Sequence, residues 1–370
     1  MSKASAWLDG RLAELMASEP YIGGESVESI AERYNLDLGR CLKLNANENL
    51  VIPRETIEDL SREALQEVDQ RVYPQKETDS LRESLGGYLG VAPNTIVLGS
   101  GADQLIDHLV NAFSDQESGV LTTTPSYSFY KVRAELYCNL SVQVPLQRDF
   151  GLDVDSILSS STNCRLCFLC SPNNPTGNQF TSASIIKIVD EFPGVVVVDE
   201  AYAEFGDYNL VKEASERDNL VVLRTFSKAF GLAGLRIGYM IGSEKLSRTF
   251  NERVQDPFCV PNFSAVLCKK MLDKIGLVSD AVSIVKEERQ RVSNTLSALD
   301  GLTIFDSDAN FILFNTDMEM KVVFEGLLTE GLLVRRIGEI QSLKNCLRVT
   351  VGTPAMNDRF ITALTQIVGA

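Results

Sequence analysis

Histidine is almost missing from this chain of 370 residues, in which His108 is the single example. Catalytic triads commonly need a histidine, and most zinc sites in enzymes use several. The composition therefore argues against a histidine-based triad and against zinc, and we expect no metal site.

Positive charge is scarce as well: the chain has 35 lysines and arginines but 50 acidic residues, which gives a net charge of −15. A nucleic-acid backbone is bound by a basic surface, so this balance argues against nucleic acid as a partner. No apolar run approaches the ~20 residues that span a bilayer. Without a signal peptide or a disulfide-like pattern, the sequence predicts reduced thiols in a cytoplasmic protein.

What the sequence does contain is a series of short apolar runs separated by helical patterns. The runs that predict strands lie at 96–98, 120–124, 164–170, 195–198, 220–223 and 236–241. The four valines at 195–198 predict a strand buried on both faces, as in a parallel sheet. The alternation predicts an α/β fold with a mostly parallel, doubly wound sheet, whose strand ends converge on one crevice.

The two ends of the chain follow other patterns. A long helical segment from 264 to about 298 precedes short strands and helices, which predicts a smaller α+β domain. Trp7, Leu8 and Leu12 recur at helical spacing and predict an amino-terminal arm. We expect the arm over residues 1–45, packed with the small domain, a large domain over 46–265 and the small domain over 266–370.

A lysine near the end of one predicted strand is the first candidate for chemistry. Lys228 lies between small and hydroxylic residues, just after the apolar run at 220–223. Burial would lower the pKa of its amine, which makes it a candidate Schiff-base former. Arg236 and the hydroxyls of Thr225 and Ser227 suit a phosphate. Taken alone, such a lysine is more often part of a solvated loop.

Other strand ends carry polar residues, each with two interpretations. The glycine-rich turn at 99–103 leads into a helix, so its N–H groups could bind an anion, or Asp103 could simply lie near the N-cap. Asp199 follows the four valines, where a buried carboxylate needs a cation partner, or it caps the next helix. Arg348 could face an anionic ligand or form a surface ion pair.

Together these stretches resemble the fold-type I aminotransferases that use pyridoxal 5′-phosphate, over almost the whole chain. The likeness is carried by 171–177 (SPNNPTG), 199–202 (DEAY), Ser227 with Lys228, Arg236 and Arg348. More narrowly, the chain is similar to the histidinol-phosphate aminotransferases at 44–49 (LNANEN), 71–74 (RVYP), 101–103 (GAD), 223–230 (LRTFSKAF) and 346–353 (CLRVTVGT). It departs from them at 50–53 (LVIP), where a proline and a glycine-containing turn are common.

The resemblance implies a role for each matching residue. Lys228 would hold pyridoxal phosphate as a Schiff base and shuttle the catalytic proton. Asp199 would pair with the ring nitrogen, Tyr202 and Asn174 would donate to the phenolic oxygen, and Tyr127 would stack on the ring. The residues expected around the cofactor's phosphate are Gly101, Ala102, Asp103, Thr225, Ser227, Arg236 and, from the neighbouring subunit of a homodimer, Tyr73.

The resemblance also implies the reaction, which is transamination of L-histidinol phosphate with 2-oxoglutarate in histidine biosynthesis. Arg335 and Arg348 match positions that hold the substrate's phosphate or carboxylates, and Tyr21 matches one that closes over the site. Arg336 follows Arg335 directly, so which of the two faces the ligand stays open. Three alternatives stay open: an aromatic amino-acid aminotransferase, a threonine-phosphate decarboxylase, or a catalytically silent binding module, against which the intact Lys228 argues.

Overall fold

The computed structural model of this protein describes residues 3–17, 20, 24, 26–138 and 140–369. The described helices are α1 (Lys3–Ala17), α2 (Val27–Tyr34), α3 (Arg54–Glu67), α4 (Lys76–Leu89), α5 (Gly101–Phe113), α6 (Phe129–Tyr137), α7 (Val154–Ser159), α8 (Ser182–Glu191), α9 (Val211–Glu216), α10 (Glu244–Thr249), α11 (Asn262–Leu272), α12 (Ile275–Ser297), α13 (Met320–Thr329) and α14 (Pro354–Val368). The described strands are β1 (Leu42–Lys43), β2 (Ile96–Gly99), β3 (Gly119–Thr124), β4 (Ser141–Pro145), β5 (Cys164–Cys170), β6 (Val195–Asp199), β7 (Leu220–Thr225), β8 (Gly238–Ile241), β9 (Leu302–Ile304), β10 (Phe311–Thr316), β11 (Leu332–Leu333), β12 (Arg335–Ile340) and β13 (Leu343–Thr350).

Seven of the described strands form the central sheet, in the order β2-β8-β7-β6-β5-β3-β4. Neighbours from β7 through β4 run parallel, whereas β8 is antiparallel to both β7 and β2. The predicted α/β fold with a mostly parallel sheet is therefore confirmed.

Apolar side chains cover both faces of this sheet. In β6, Val196 and Val198 join the larger apolar core, whereas Val197 packs on the other face with Leu105 and Leu109 of α5. Successive side chains of a strand point to opposite faces, so a run of valines fills both cores at once. Burial on both faces leaves the strand ends as the place for polar chemistry.

The antiparallel strand β8 explains how Arg236 reaches the edge where the other strands end. Strand β8 begins at this edge, at Gly238. The observed strand is therefore two residues shorter than the predicted one, which covered 236–241. Arg236 precedes it with a left-handed backbone, at φ 52°. A hypothetical Cβ at Gly238 would lie 2.3 Å from the Ala102 nitrogen, so only glycine lets β8 pass this close to the start of α5.

A second sheet, antiparallel, joins four strands of the described carboxyl-terminal region in the order β12-β13-β10-β9. Helices α12 and α13 pack on this sheet, and α14 packs on these two helices. Strand β1 pairs in parallel with β11, so residues 42–43 are joined to this region. The expected domain boundaries at 45/46 and 265/266 stay predictions.

The described helices and cysteines can also be examined for membrane spans and metal clusters. No helix of the described ranges is both apolar enough and long enough to cross a membrane. Cys164, Cys167 and Cys170 recur at every third position of β5, a spacing that in a loop would suggest zinc, but they lie along a buried strand. Within the part of the chain that the structure describes, no three metal-binding side chains cluster.

Candidate active site

A cavity of about 560 Å³ opens between the strand ends of the central sheet and the second sheet. The predicted site residues that line it are Ala102, Asp103, Tyr127, Asn174, Asp199, Tyr202, Thr225, Ser227, Lys228, Arg236, Arg335 and Arg348. Gly101 lies beside it at the start of α5. Residues that are spread over 247 positions of the sequence therefore meet in one place, as expected for the carboxyl edge of an α/β sheet.

Lys228 is half-buried and lines this cavity. Its Nζ donates to the backbone oxygen of Ala46 at 2.9 Å and lies 5.6 Å from the centre of the Tyr202 ring. Burial, followed by the nearby positive charge of Arg348, lowers the pKa of the amine to about 8. A minority of the amine is therefore neutral near physiological pH, more than for an ordinary lysine, and nucleophilic or proton-transfer chemistry requires this neutral form.

Asp199 ends β6 with its carboxylate facing the cavity and only 4% of the residue exposed. Burial raises the pKa of this carboxyl to about 6, while hydrogen bonds from Tyr130 and from the backbone of Ala201 oppose the shift. The donors are the Tyr130 hydroxyl, 2.6 Å from Oδ2, and the Ala201 N–H, 3.0 Å from Oδ1. Among the described residues Asp199 forms no ion pair, so its carboxylate is available to pair with a bound cation.

The start of α5 and Arg236 lie together at the cavity and offer groups that suit a phosphate. We call these groups the phosphate seat. The first N–H groups of a helix have no partner within the helix and attract anions. Gly101 has φ 78°, and a Cβ there would lie 2.4 Å from the Arg236 guanidinium. Arg236 is held by Asp103 at 3.0 Å, and the other carboxylate oxygen of Asp103 accepts from the Tyr127 hydroxyl at 3.1 Å.

Asn174, Tyr202 and Arg348 lie together on the opposite wall of the cavity. Arg348 donates to the side-chain oxygen of Asn174 and, at 2.9 Å, to the backbone oxygen of Asn45. The Tyr202 hydroxyl accepts from Asn47 Nδ2 at 3.0 Å. Burial raises the pKa of Tyr202, so its hydroxyl keeps its proton and can donate into the cavity.

Register in the second sheet separates the two consecutive arginines. Arg335 of β12 lies directly across from Arg348 of β13, whereas Arg336 lies across from Leu347. Cross-strand partners share one face of a sheet, so Arg335 and Arg348 point to the same side. The Arg336 guanidinium instead covers the ring of Phe324, 4.8 Å from its centre. Both arginines line the cavity, but only Arg335 shares a face of the sheet with Arg348, so we expect Arg335 to be the ligand-facing member of the pair.

Of the remaining predicted residues, Tyr73 does not line the cavity, and Tyr21 cannot be placed. Tyr73 is 74% exposed and stacks on Phe258, with the ring centres 4.6 Å apart. Tyr21 lies outside the described residues.

Two contributors were missed by sequence reasoning. Tyr130 contacts Asp199 directly, and no signal in the sequence around it indicates this contact. Asn47 positions the Tyr202 hydroxyl, with φ 54° and a backbone N–H that donates to Thr350 Oγ1 at 3.0 Å. It lies inside the LNANEN motif, which carried the resemblance but gave no role for this asparagine.

Comparison with known proteins gives a consistent result. The model of the family "Aminotransferase class I and II" matches residues 39–364. The histidinol-phosphate aminotransferase of Thermoanaerobacter pseudethanolicus is 36% identical over 92% of this chain and 95% of its own length. Among solved structures, the histidinol-phosphate aminotransferase of Sinorhizobium meliloti, in complex with pyridoxal-5′-phosphate, superposes with a TM-score of 0.85 over 96% of both chains at 23% identity.

A second solved structure is informative about the alternatives. The L-threonine-O-3-phosphate decarboxylase of Porphyromonas gingivalis has a TM-score of 0.75 over 88% of this chain and 99% of its own, at 22% identity. Both structural likenesses establish a shared fold, that of the fold-type I aminotransferases, which confirms the prediction. The family model and the curated relative cover most of the chain, and on that evidence it belongs to the class I and II aminotransferases, within their histidinol-phosphate aminotransferase group.

Proposed function

We propose that this protein transfers the amino group of L-histidinol phosphate to 2-oxoglutarate, which yields imidazole acetol phosphate and L-glutamate in histidine biosynthesis. The observation that carries the proposal is the meeting of Lys228, Asp199 and the Arg335–Arg348 pair in one cavity, in a chain whose 36% identical relative carries that name.

The described residues fit pyridoxal phosphate at each of its polar groups. Asp199 is a buried carboxylate that forms no ion pair with any other described residue, as a protonated ring nitrogen would need. The N–H groups at the start of α5, with Arg236, Ser227 and Thr225, suit the phosphate. When bound, the cofactor supplies an electron sink that stabilises negative charge on the substrate's α-carbon.

Lys228 would hold the cofactor and carry the proton that leaves the substrate's α-carbon. Its lowered pKa, about 8, allows the amine to act as a base at neutral pH and as an acid afterwards. The Ala46 oxygen, 2.9 Å away, keeps the amine at the cavity.

Asp199 would hold the ring nitrogen in its protonated form. Its charge is supported by Tyr130 and by the Ala201 N–H, which donate to its two oxygens. Tyr202 and Asn174 would donate to the phenolic oxygen, and Tyr127 would cover the ring.

The paired arginines would recognise the substrates. Histidinol phosphate and glutamate are both anions, but they carry their charges at different positions. Arg348 and Arg335 lie on the same face of neighbouring strands, so their guanidinium groups can bind the anionic group of either substrate from one wall of the cavity. We propose that Tyr21 of the arm closes over this wall.

We also propose that the protein is a cytoplasmic homodimer with the arm, large domain and small domain predicted from the sequence. The exposed pair of Tyr73 and Phe258 supports the dimer, because two stacked aromatic rings in water favour burial against another surface. Tyr73 would then reach the partner's cofactor phosphate. Eight free thiols suit a reducing compartment.

The test is a product assay with purified protein and added pyridoxal phosphate. Histidinol phosphate, phenylalanine and tyrosine are each offered with 2-oxoglutarate, and O-phosphothreonine is offered alone while carbon dioxide is measured. We expect glutamate to form with histidinol phosphate at a kcat/KM ~100-fold or more above the aromatic amino acids, and no carbon dioxide. A preference for an aromatic amino acid, or decarboxylation of O-phosphothreonine, would contradict the proposal.

A further inference from the structure

Tyr130 is a buried side chain outside the predicted site whose polar atom contacts the site's central acid. It lies on α6, has no exposed surface, and its hydroxyl lies 2.6 Å from Asp199 Oδ2. Burial raises the pKa of Tyr130 well above its ordinary value. The hydroxyl therefore keeps its proton, and toward a carboxylate it can only donate.

Packing holds the Tyr130 ring in one orientation. It stacks on Phe168 of β5, with ring centres 4.7 Å apart and planes 5° apart. Its edge meets the Tyr127 ring at 5.4 Å and 87°, and Tyr127 in turn is tied to Asp103 beside the phosphate seat. A donor fixed in this way directs one carboxylate oxygen, while the Ala201 N–H directs the other.

We propose that Tyr130 is a positioning residue, which orients the Asp199 carboxylate and keeps it ionised opposite the cofactor's ring nitrogen. This inference rests on the proposed function. Without the hydroxyl, a carboxyl buried among apolar side chains would favour its neutral form and would share the ring nitrogen's proton instead of stabilising it.

The other groups around Asp199 do not replace this donor. The Asp103 charge opposes ionisation of Asp199, and that of Lys228 favours it only as the smallest of the contributing causes. Burial raises the pKa of the Cys170 thiol and of the Tyr202 hydroxyl, and the Asp199 charge raises both pKa values further, so both groups stay protonated. Tyr130 is the side chain that donates to the carboxylate among the described residues.

The experiment compares Tyr130→Phe with Tyr239→Phe. Tyr239 is a matched control because it is equally buried, in β8, and its hydroxyl has no hydrogen-bond partner among the described residues. Each protein is loaded with pyridoxal phosphate that carries ¹⁵N in the ring, and the ¹⁵N chemical shift reports whether the ring nitrogen is protonated. The cofactor's dissociation constant, kcat and KM are measured in parallel.

For Tyr130→Phe we expect the ¹⁵N signal to move toward the unprotonated value. Loss of a hydrogen bond to a charged group should lower kcat and cofactor affinity by about 10- to 100-fold, with each substrate KM within about 2-fold. Tyr239→Phe should match the wild type. In an Asp199→Asn background, Tyr130→Phe should change cofactor affinity by less than about 2-fold, because Tyr130 acts through the carboxylate.

Three results would overturn the inference. Tyr130→Phe could match the wild type in ¹⁵N shift and kcat, both hydroxyl deletions could cause equal losses, or the loss could persist undiminished in the Asp199→Asn background. Thermal unfolding of every variant shows that the folded protein is compared, and the Asp199→Asn pair keeps the test open if Tyr130→Phe alone is unstable. A wild-type protein that bound no pyridoxal phosphate would instead contradict the proposed function, and this inference with it.

Discussion

Asp199 and Glu200 are neighbours at the end of β6, and both are buried, yet they have different surroundings. Glu200 forms an ion pair with Arg224 of β7 at 3.1 Å and accepts from the Leu210 N–H at 2.6 Å. Arg224 also pairs with Glu204 at 2.7 Å, so these three charges form a closed cluster. Asp199 has hydrogen-bond donors but no ion pair among the described residues, and it faces the cavity.

The difference indicates two roles for buried charge: the Glu200 cluster stabilises the fold, whereas Asp199 is suited to bind a charged ligand. A buried acid with a protein cation contributes to folding, and breaking such a pair is costly. A buried acid supported only by hydrogen bonds costs stability, which a site can sustain when a ligand supplies the missing charge. We therefore expect substitutions in the cavity to affect chemistry and substitutions in the cluster to affect stability.

Lys228→Ala should cause the largest loss on the cavity side. Without the amine, turnover should fall by about 10⁴-fold or more, because the group that carries the proton is gone. The protein should still bind pyridoxal phosphate non-covalently through the seat at α5. The measurements are turnover with histidinol phosphate and cofactor content after gel filtration. Transamination at a rate near that of the wild type would show that the assigned role is wrong.

Asp199→Asn and Glu200→Gln test the comparison directly, since each replaces an acid by its amide. Asp199→Asn should lower kcat by about 10³-fold, as expected when the ring nitrogen loses its charged partner, and should not destabilise the cofactor-free protein. Glu200→Gln should lower the free energy of unfolding by about 3 kcal/mol and change kcat far less. Urea unfolding and steady-state kinetics of both variants measure these effects. A stability loss in Asp199→Asn together with a kcat loss in Glu200→Gln would contradict the comparison.

Arg348→Ala should have the next largest effect, and Arg336→Ala offers a comparison on the same sheet. Because Arg348 would hold both substrates by their anionic groups, we expect KM for histidinol phosphate and for 2-oxoglutarate to rise about 10- to 100-fold. Arg336→Ala removes an arginine that also lines the cavity but lies over the Phe324 ring, and it should raise either KM less than Arg348→Ala does. An unchanged KM for 2-oxoglutarate in Arg348→Ala would show that the two substrates do not share this arginine.

The pH dependence of stability should show the smallest effect. Burial raises the Asp199 pKa from 3.8 to about 6, so the folded protein retains a proton that the unfolded chain releases. This proton contributes about 3 kcal/mol to the free energy of unfolding below about pH 4, and the contribution is lost as the pH rises through about 6. In cofactor-free protein, the melting temperature of wild type relative to Asp199→Asn should therefore fall by a few degrees between pH 4 and 7. A difference that stays constant over this range would mean that Asp199 does not titrate there.

Sequence patterns predicted the fold well where burial alone decides the structure. The valines of β6 and the strand before Lys228 are apolar on both faces, and such runs occur in the interior of parallel sheets. Pattern does not give strand direction or register, because those depend on which strands become neighbours. The antiparallel direction of β8 and the pairing of Arg335 with Arg348 therefore emerged only in the structure.

The candidate site was predictable where motifs carry its residues and not where packing does. Lys228, Asp199 and Arg236 stand in stretches that resemble a known family. Tyr130 serves Asp199 from a helix 69 positions earlier in the chain, and nothing in its own neighbours announces a buried donor. Tertiary packing decides such contacts, so single-sequence reasoning missed this one.

The central claim is that pyridoxal phosphate is held by Lys228 in this cavity, and borohydride reduction tests it most directly. Reduction turns the carbon–nitrogen double bond between cofactor and lysine into a stable amine, and mass spectrometry of the digested protein then identifies the modified residue. We predict that the peptide containing Lys228 carries the cofactor's mass. Lys43 and Lys131 also line the cavity, and attachment of the cofactor to either of them in place of Lys228 would contradict the account.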